Sequence, residues 1–197
     1  MDGTVFTKSY GSLPFNEKEA LRYAGYVKPD DNAYELLHKC YDEVKDIFTF
    51  KVCYSEFSVK RDGELLDLGF CKTESENLKK LLRTSGKCIL FAATAGLNID
   101  REIKRYGISD PLKALILQGI GAERVETLCD KFQSEFENTT PRFSPGYGDV
   151  PLSMQRDVFQ ALDCQRKIGL TLNDNLIMVP MKSVTAIFGL KANWETK

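Results

Sequence analysis

The chain has 197 residues, of which 43% are hydrophobic and 28% charged, proportions typical of a globular protein with a buried core. Its formal net charge of −1 argues against a nucleic-acid-binding surface, which normally needs a large excess of Lys and Arg. No apolar run reaches membrane-spanning length and no signal segment opens the chain, so the sequence predicts a cytoplasmic protein whose partners include neither nucleic acid nor membrane.

Two helices are predicted in the N-terminal part of the chain. Asn16 is placed to cap the first helix, with Glu19 reaching back to it, and Gly25 ends it. Asp30 or Asp31 opens the second helix. Apolar residues recur along that helix at steps of three and four, namely Tyr34, Leu37, Tyr41, Val44 and Phe48. His38 is the only histidine, and its place beside this stripe indicates a partly buried side chain with one hydrogen bond.

Strand signals dominate the next segment. Runs rich in β-forming residues at 52–59 and 65–70 flank Asp62 and Gly63, and this dipeptide is the strongest short-range signal of a β-hairpin. Residues 73–76 predict a capping box for a helix that Gly86 ends. Residues 88–96 are apolar at successive positions, which is typical of a central strand buried on both faces.

Helices follow this strand. Asn98 is predicted to cap a short helix that ends at Gly107. Residues 109–111 open the longest helix, which is predicted to reach about residue 136. Gly119 and Gly121 interrupt its apolar stripe, which we interpret as a sign of close packing or a kink rather than of ligand contact.

The C-terminal part is predicted to contain one more helix and two strands. Ser153 would cap the helix and Gly169 would end it. The strands are predicted at 174–180 and 183–190, joined by a tight turn that contains Pro180, with a frayed tail from Lys191. Hairpins and helices occur in mixed order without β-α-β alternation. The sequence therefore predicts one α+β domain over residues 1–197, with an antiparallel sheet flanked by helices.

The residue types available for chemistry are few. The six cysteines are widely spaced without a Cys-x-x-Cys pair, so we expect reduced, structural thiols rather than disulfides or a metal site. The sequence contains no nucleophile-elbow, Walker, zinc-protease or dinucleotide-binding motif. We therefore predict no catalytic or metal-ligating residue, and expect a binding protein or an accessory to a cofactor held elsewhere.

The loop at residues 142–151 is the strongest candidate for ligand contact. Its prolines restrict the backbone, while Gly146 and Gly148 leave room for a close approach. Arg142 offers a planar fork of donors suited to a carboxylate or phosphate. Tyr147 offers a flat face and a hydroxyl group. From these properties alone, a rigid connector between two helices is an equally acceptable interpretation.

The order of these residues, Arg-x-x-x-Gly-Tyr-x-x-x-Pro from Arg142 to Pro151, resembles the signature of the activation (reactivation) domain of vitamin B12 (cobalamin)-dependent methionine synthase. The similarity continues into residues 172–180 and 183–185, which resemble the pattern that closes the family's domain. It is specific over 141–190 and looser over 88–137, so that 88–190 is the best-matched part of the chain.

This resemblance implies a fold and a site. The family's fold is a single C-shaped domain around a twisted antiparallel sheet, which agrees with the α+β prediction. The resemblance implies that Arg142 holds the carboxylate of S-adenosylmethionine, that backbone groups near Ser144 contact adenine, and that Gly146 allows the ligand or corrin to approach beside Tyr147. Together with the two residues between them, the expected cofactor-binding residues are Arg142, Phe143, Ser144, Pro145, Gly146 and Tyr147.

The resemblance also implies a function. The chain would be a stand-alone activation-domain-like protein that binds S-adenosylmethionine and assists the reductive remethylation of cobalamin carried by a partner, a corrinoid-binding methyltransferase subunit. A flavodoxin-type protein is the expected reductant, and methionine synthase activity would arise only in a split enzyme. The alternative is a non-catalytic interaction protein of the same fold that does not bind the ligand, since the family's acidic partner for the ligand's ammonium has no counterpart near the start of this chain.

Overall fold

The computed structural model describes residues 3–191. The helices are α1 (Glu17–Tyr23), α2 (Asp31–Val44), α3 (Glu76–Leu81), α4 (Asn98–Ser109), α5 (Pro111–Gln133), α6 (Gln155–Leu162) and α7 (Cys164–Ile168), with a 3-10 turn at Leu152–Met154. The strands are β1 (Phe6–Tyr10), β2 (Phe50–Ser58), β3 (Lys60–Asp62), β4 (Leu65–Asp67), β5 (Lys72–Thr73), β6 (Ser85–Thr94), β7 (Thr171–Leu172), β8 (Met178–Val179) and β9 (Ser183–Lys191).

The main sheet has four antiparallel strands in the order β1-β2-β6-β9. β6 lies between β2 and β9 and is buried at most positions, which confirms the central strand predicted from residues 88–96. β1 was not predicted, because an edge strand whose side chains are mostly exposed and polar carries little hydrophobic alternation. Antiparallel strands flanked by helices confirm the α+β class.

The hairpin around Gly63 is present but shorter than predicted. Only β3 and β4 pair across it, and β5 adds a third short strand to this small sheet. The predicted pairing of residues 52–59 with 65–70 is wrong, because β2 pairs with β1 and β6 instead. The amide of Val59 donates to the carbonyl of Gly86 (2.9 Å), so the chain stays beside β6 until that point and turns away only afterwards.

Two of the predicted helix caps are confirmed, because the Asn16 side chain accepts from the Glu19 amide (3.2 Å) and Asp30 from the Ala33 amide (2.9 Å). Within the segment predicted to open the longest helix, Asp110 is the cap and accepts from the Lys113 amide (3.0 Å). The reciprocal bond predicted from Glu19 is absent, because its carboxylate pairs with Arg22 and the Asn16 amide donates to Glu123 instead.

Other predicted boundaries are wrong. Ser75 caps α3 in place of the predicted box at 73–76, and the helix ends at Leu81, before Gly86. Asn98 is the first residue of α4 and does not cap it. Ser153 lies in the 3-10 turn, and the helix predicted to follow it breaks at Asp163, whose φ of 49° separates α6 from α7 before Gly169 ends the second.

The last predicted hairpin is also modified. Residues 174–177 form a turn instead of a strand, because the Asn173 side chain accepts from the amides of Asn175 (3.0 Å) and Ile177 (2.9 Å). Leu176 adopts a positive φ of 60° in this turn. Only β8 remains of the first predicted strand, and it pairs with β7. β9 extends to Lys191, and the rest of the predicted frayed tail lies outside the described residues.

The two glycines of α5 mark close packing. α5 continues through both as one helix of 23 residues. A Cβ added at Gly119 would lie 2.3 Å from the carbonyl oxygen of Ala20, so α1 sits directly against this point. At Gly121 the methylenes of Lys182 take the corresponding space, about 3.0 Å from such a Cβ. The packing interpretation is therefore confirmed, and neither position kinks the helix enough to end it.

Three hydrophobic clusters fill the interior. One lies between one face of the main sheet and the elements α3, α6 and α7. The second lies between the opposite face and the C-terminal half of α5. The third joins α1, α2 and α4 to the N-terminal half of α5. α5 thus belongs to two clusters, and so does the main sheet. Because the C-terminal half of α5 packs on the sheet, the loop that follows α5 starts beside the sheet.

The cysteines and the single histidine lie in different surroundings. All six cysteines are free, and five of them are buried. The Sγ atoms of Cys53 and Cys164 lie 4.0 Å apart. His38 is more exposed than predicted, with 54% of its side chain accessible, and its Nε2 lies 3.1 Å from a Glu17 carboxylate oxygen. Within residues 3–191 no helix is long and apolar enough to span a membrane.

Candidate functional site

The segment that leads into the candidate loop is held against the main sheet. Phe143 exchanges two backbone hydrogen bonds with Ile187 of β9, at 2.8 and 2.9 Å. The Thr140 amide donates to the carbonyl of Gly189 (3.0 Å) and its hydroxyl accepts from the Gly189 amide (2.9 Å). The half-buried Phe143 ring packs on the cluster beneath this face. The start of the loop is therefore positioned by the edge of β9.

The loop itself closes in a tight double turn. The Gly146 amide donates to the carbonyl of Val150 (2.9 Å), and the Val150 amide donates to that of Tyr147 (3.0 Å). Gly148 has a φ of 55°, and a Cβ at this position would lie 2.2 Å from the Asn77 side chain. Glycine is required there for both reasons. Tyr147 projects from the turn with 69% of its surface exposed.

Asp149 ties the loop to the N-terminus of α3. Its carboxylate accepts from the Ser75 hydroxyl (2.5 Å) and from the amides of Glu76 (2.7 Å) and Asn77 (3.3 Å). These hydrogen bonds, the one from Ser75 foremost, lower the pKa of Asp149 from its ordinary value. The loop is thus fixed at one end by β9 and at the other by α3.

Arg142 faces α5. Its Nη1 donates to Asp130 (2.5 Å) and its Nη2 to Glu126 (2.7 Å), with 23% of the arginine side chain exposed. Burial acts to lower the pKa of Arg142, but the hydrogen bonds that it donates to its two carboxylate partners outweigh burial and raise the pKa above the usual range. The guanidinium stays charged at every ordinary pH, and it bridges two successive turns of α5.

A cavity of about 370 Å³ opens beside this loop. The candidate loop, the 3-10 turn, α6, the turn before β8, the start of β9 and α5 border it, and its lining residues are Glu126, Ser144, Pro145, Tyr147, Leu152, Gln155, Leu176, Ile177, Met178, Met181, Ser183, Val184 and Thr185. Its volume is that of a small-molecule site. Glu126 is the one charged side chain among these residues, and it is also a partner of Arg142.

Two buried polar side chains lie at the inner end of the cavity. The Thr185 hydroxyl donates to the Oε1 of Gln155 (2.9 Å), and 1% and 4% of these residues are exposed. Ser183, also nearly buried, donates to the carbonyl of Pro180 (2.8 Å). These contacts fix the start of β9 and orient the Gln155 amide.

The structure brings together only some of the residues predicted for the site. Ser144, Pro145 and Tyr147 line the cavity. Gly146 shapes the turn from behind, where a Cβ would approach Leu152 to 3.1 Å. Phe143 packs inward. Arg142 does not line the cavity, but it is paired with Glu126, which does.

Several lining residues were not predicted as site residues. Glu126 and Gln155 lie on separate helices, and nothing in their local sequence distinguishes them from surface residues of an amphipathic helix. The sequence predicts a strand over the apolar run at residues 176–178 and therefore gives no sign that this run borders a cavity. In the structure, exposed apolar residues mark the mouth of the cavity, since Leu152, Ile177 and Met181 are 44%, 52% and 50% exposed. We call these three residues and Tyr147 the apolar rim.

Comparison with known proteins gives one kind of similarity. No protein-family model matches the chain, and no curated protein matches its sequence. Among solved structures, the chain is similar to a crystal structure of the MetH reactivation domain bound to AdoHcy, with a TM-score of 0.74 and 12% sequence identity. The superposition covers 98% of this chain and 80% of that chain. The two proteins therefore share a fold.

Proposed function

We propose that this protein binds S-adenosylmethionine in the cavity beside the Arg142 loop and assists the reductive remethylation of cobalamin on a partner, a corrinoid-binding methyltransferase subunit. Methionine synthase activity belongs to it only as part of a split enzyme. The observation that carries the proposal is the cavity of about 370 Å³ bordered by Ser144, Pro145 and Tyr147, in a fold shared with a reactivation domain bound to AdoHcy.

The residues at the cavity fit the chemistry of this ligand. An amino-acid end carries an ammonium and a carboxylate group. Glu126 and Arg142, joined at 2.7 Å, offer a carboxylate for the first and a fork of donors for the second. The apolar wall and the exposed Tyr147 ring suit a flat heterocycle and a sulfonium cation. S-adenosylmethionine supplies the methyl group, carried on its sulfonium sulfur.

The chain's own part is to bind, to orient and to exclude water. The apolar rim surrounds the mouth of the cavity and stays exposed, which fits a surface that a partner covers. A partner seated there would bring its corrin close to a ligand held by Glu126 and Arg142 and would remove solvent from between them. A flavodoxin-type protein is the proposed source of the electron.

One observation favours a second candidate, an interaction protein of the same fold that binds no such ligand. Arg142 already has two carboxylate partners, at 2.5 and 2.7 Å, so its charge is compensated without a ligand. In that case Arg142 serves only to anchor the loop to α5, and the apolar rim alone contacts a partner.

Substitution of Arg142 separates the two candidates. If Arg142 holds the ligand's carboxylate, Arg142→Ala lowers the affinity for S-adenosylmethionine by about 30-fold or more, because truncating one member of a desolvated charge pair costs about 2–5 kcal/mol. Arg142→Lys restores little, since a point charge does not reproduce the fork. Calorimetric titration with S-adenosylmethionine and with AdoHcy, together with the melting temperature of each variant, measures both effects.

Asp130→Asn is the matched control, because Asp130 bonds Arg142 but does not line the cavity. This variant should lose a little thermal stability and keep its affinity within a few-fold. An Arg142→Ala variant with a lower melting temperature and unchanged affinity contradicts the ligand role. Wild-type protein without affinity at millimolar ligand, with or without a corrinoid partner, leaves the interaction protein as the function.

A further inference from the structure

The inner end of the cavity holds a hydrogen-bond donor that no protein group uses. The Oε1 of Gln155 accepts from Thr185 (2.9 Å), but within residues 3–191 its Nε2 donates to no group. Only Ser85 Oγ and Asp100 Oδ1 are fully buried side-chain oxygen or nitrogen atoms without a partner in this part of the chain. Since Gln155 as a whole is only 4% exposed and lines the cavity, its Nε2 must be accessible from the cavity.

The orientation of this donor is fixed. The Thr185 hydroxyl holds the oxygen of the amide, so the nitrogen is the atom left for another partner. Thr185 is 1% exposed and lies in β9, which the main sheet keeps rigid through its pairing with β6. A buried donor that is already oriented loses little entropy when it binds an acceptor, and it strongly disfavours a ligand that leaves it unpaired.

Charge divides the cavity into two ends. Glu126 and its partner Arg142 lie on the α5 side, whereas Gln155 is uncharged and begins α6, three residues after the apolar lining residue Leu152. An ammonium or carboxylate group placed against this neutral end would lose hydration without a counter-charge. A neutral acceptor on a flat ring loses much less, and it gains a hydrogen bond from Nε2.

We propose that Gln155 is a specificity-determining residue that reads the heterocyclic base of the ligand. Its Nε2 donates to a ring nitrogen of adenine, and Thr185 is the positioning residue that holds the amide in this orientation. Ser144 of the candidate loop lines the same cavity, so the base lies between the loop and α6. This inference rests on the proposed function, because it assigns the end of that cavity which takes the nucleoside.

The test uses the whole chain and titrates it with adenosine, AdoHcy and the 1-deaza, 3-deaza and 7-deaza analogues of adenosine. Gln155→Glu keeps the acceptor for Thr185 and replaces the donor, so the affinity for adenosine should fall about tenfold, the value of one neutral hydrogen bond. One deaza analogue should bind the wild type about tenfold more weakly and should lose no further affinity in the variant. Gln165→Glu, the same change at an exposed position of α7, is the control.

The outcomes distinguish a failure of the role of Gln155 from a failure of the proposed function. Unchanged adenosine affinity in Gln155→Glu, or an equal loss for adenosine and all three deaza analogues, overturns the role of Gln155 and leaves the proposed function standing. Wild-type protein that binds neither AdoHcy nor adenosine overturns the proposed function and this inference with it. If circular dichroism shows that Gln155→Glu does not fold, Gln155→Met, which removes both the donor and the acceptor for Thr185, is titrated with the same ligands, and its affinity for adenosine should fall by at least as much.

Discussion

Single residues of the candidate loop act through contacts far along the chain, and Asp149 shows this most directly. Its carboxylate caps α3, with its shortest bond to the hydroxyl of Ser75 (2.5 Å), and this bond lowers the pKa of Asp149 from its ordinary value. A group whose pKa is lower in the folded state stabilises the protein above its unfolded-state pKa. That stabilisation is lost as the pH falls through the folded-state value.

We therefore expect Asp149→Asn to destabilise the protein at pH 7 and to have a smaller effect as the pH falls below about 4. Urea unfolding of wild type and variant at pH 7, 5 and 3 measures the difference in the free energy of unfolding. Asp174→Asn, in the exposed turn before β8, is the control for loss of an aspartate charge. A difference as large at pH 3 as at pH 7 contradicts the cap as its source.

Arg142 also contacts residues of another element, and these contacts bear on ligand binding. Its fork is compatible with a ligand carboxylate, yet Glu126 and Asp130 occupy it in this structure. A ligand at this place therefore competes with α5 or joins the existing pair. The guanidinium group of Arg142 indicates that its partner is a carboxylate or a phosphate. Only the position of α5 decides that the carboxylates present are those of Glu126 and Asp130.

At the scale of elements, α5 organises the molecule because two clusters use it. Its N-terminal half packs on α1, α2 and α4, and its C-terminal half packs on the main sheet. Gly119 permits the contact with α1, where the nearest atoms are the carbonyl oxygen of Ala20 and the amide nitrogen and Cβ of Ala24, none of which can rotate away. A side chain at this position must move one helix relative to the other.

We expect Gly119→Ala to destabilise the protein by about 1–3 kcal/mol, because overpacking outweighs the gain in helix propensity of about 1 kcal/mol. Gly107→Ala in α4 is the matched control, since a Cβ there meets nothing within 4 Å. That change should be neutral or slightly stabilising. Thermal or urea unfolding of both variants measures the difference, and equal effects at the two positions would argue against close packing of α1 on α5.

At the scale of the whole molecule, the three clusters are connected through shared elements. Native cysteines report on each cluster, because Cys88 lies in the first, Cys129 in the second and Cys40 in the third. Burial raises the pKa of Cys40 to about 11 and that of Cys88 to about 12, and it also raises the pKa of Cys129. Only a small fraction of each of these thiols is therefore present as the reactive thiolate in the folded protein.

We expect all three thiols to become reactive in one transition, because neither half of α5 stays packed once the other has opened. Pulsed alkylation at increasing urea, read by peptide mass spectrometry, gives the midpoint for each cysteine. Coinciding midpoints agree with one domain over the chain, while a much lower midpoint for Cys40 indicates that the helical cluster unfolds by itself. Non-reducing denaturation should release six free thiols.

The sequence by itself determined the features that depend on a few neighbouring residues. Asp30 and Asp110 cap helices through bonds that span three residues, and the glycine after Asp62 makes the tight turn between β3 and β4. The unbroken apolar run at residues 88–93 was enough to identify the central strand, since burial on both faces leaves no alternation. The order of residues in the loop after α5 was enough to suggest the fold.

The tertiary structure decided everything that joins distant segments. Arg142 meets partners 12 and 16 residues earlier, and Gln155 meets Thr185 30 residues later, across elements whose relative position no local pattern specifies. The boundaries at Asp163 and Asn173 also failed, because a left-handed residue and a side-chain turn override the apolar periodicity there. Caps and turns are short-range hydrogen bonds and can be recognised from sequence, whereas the cavity arises from the packing of α5, α6 and β9, which only the assembled core fixes.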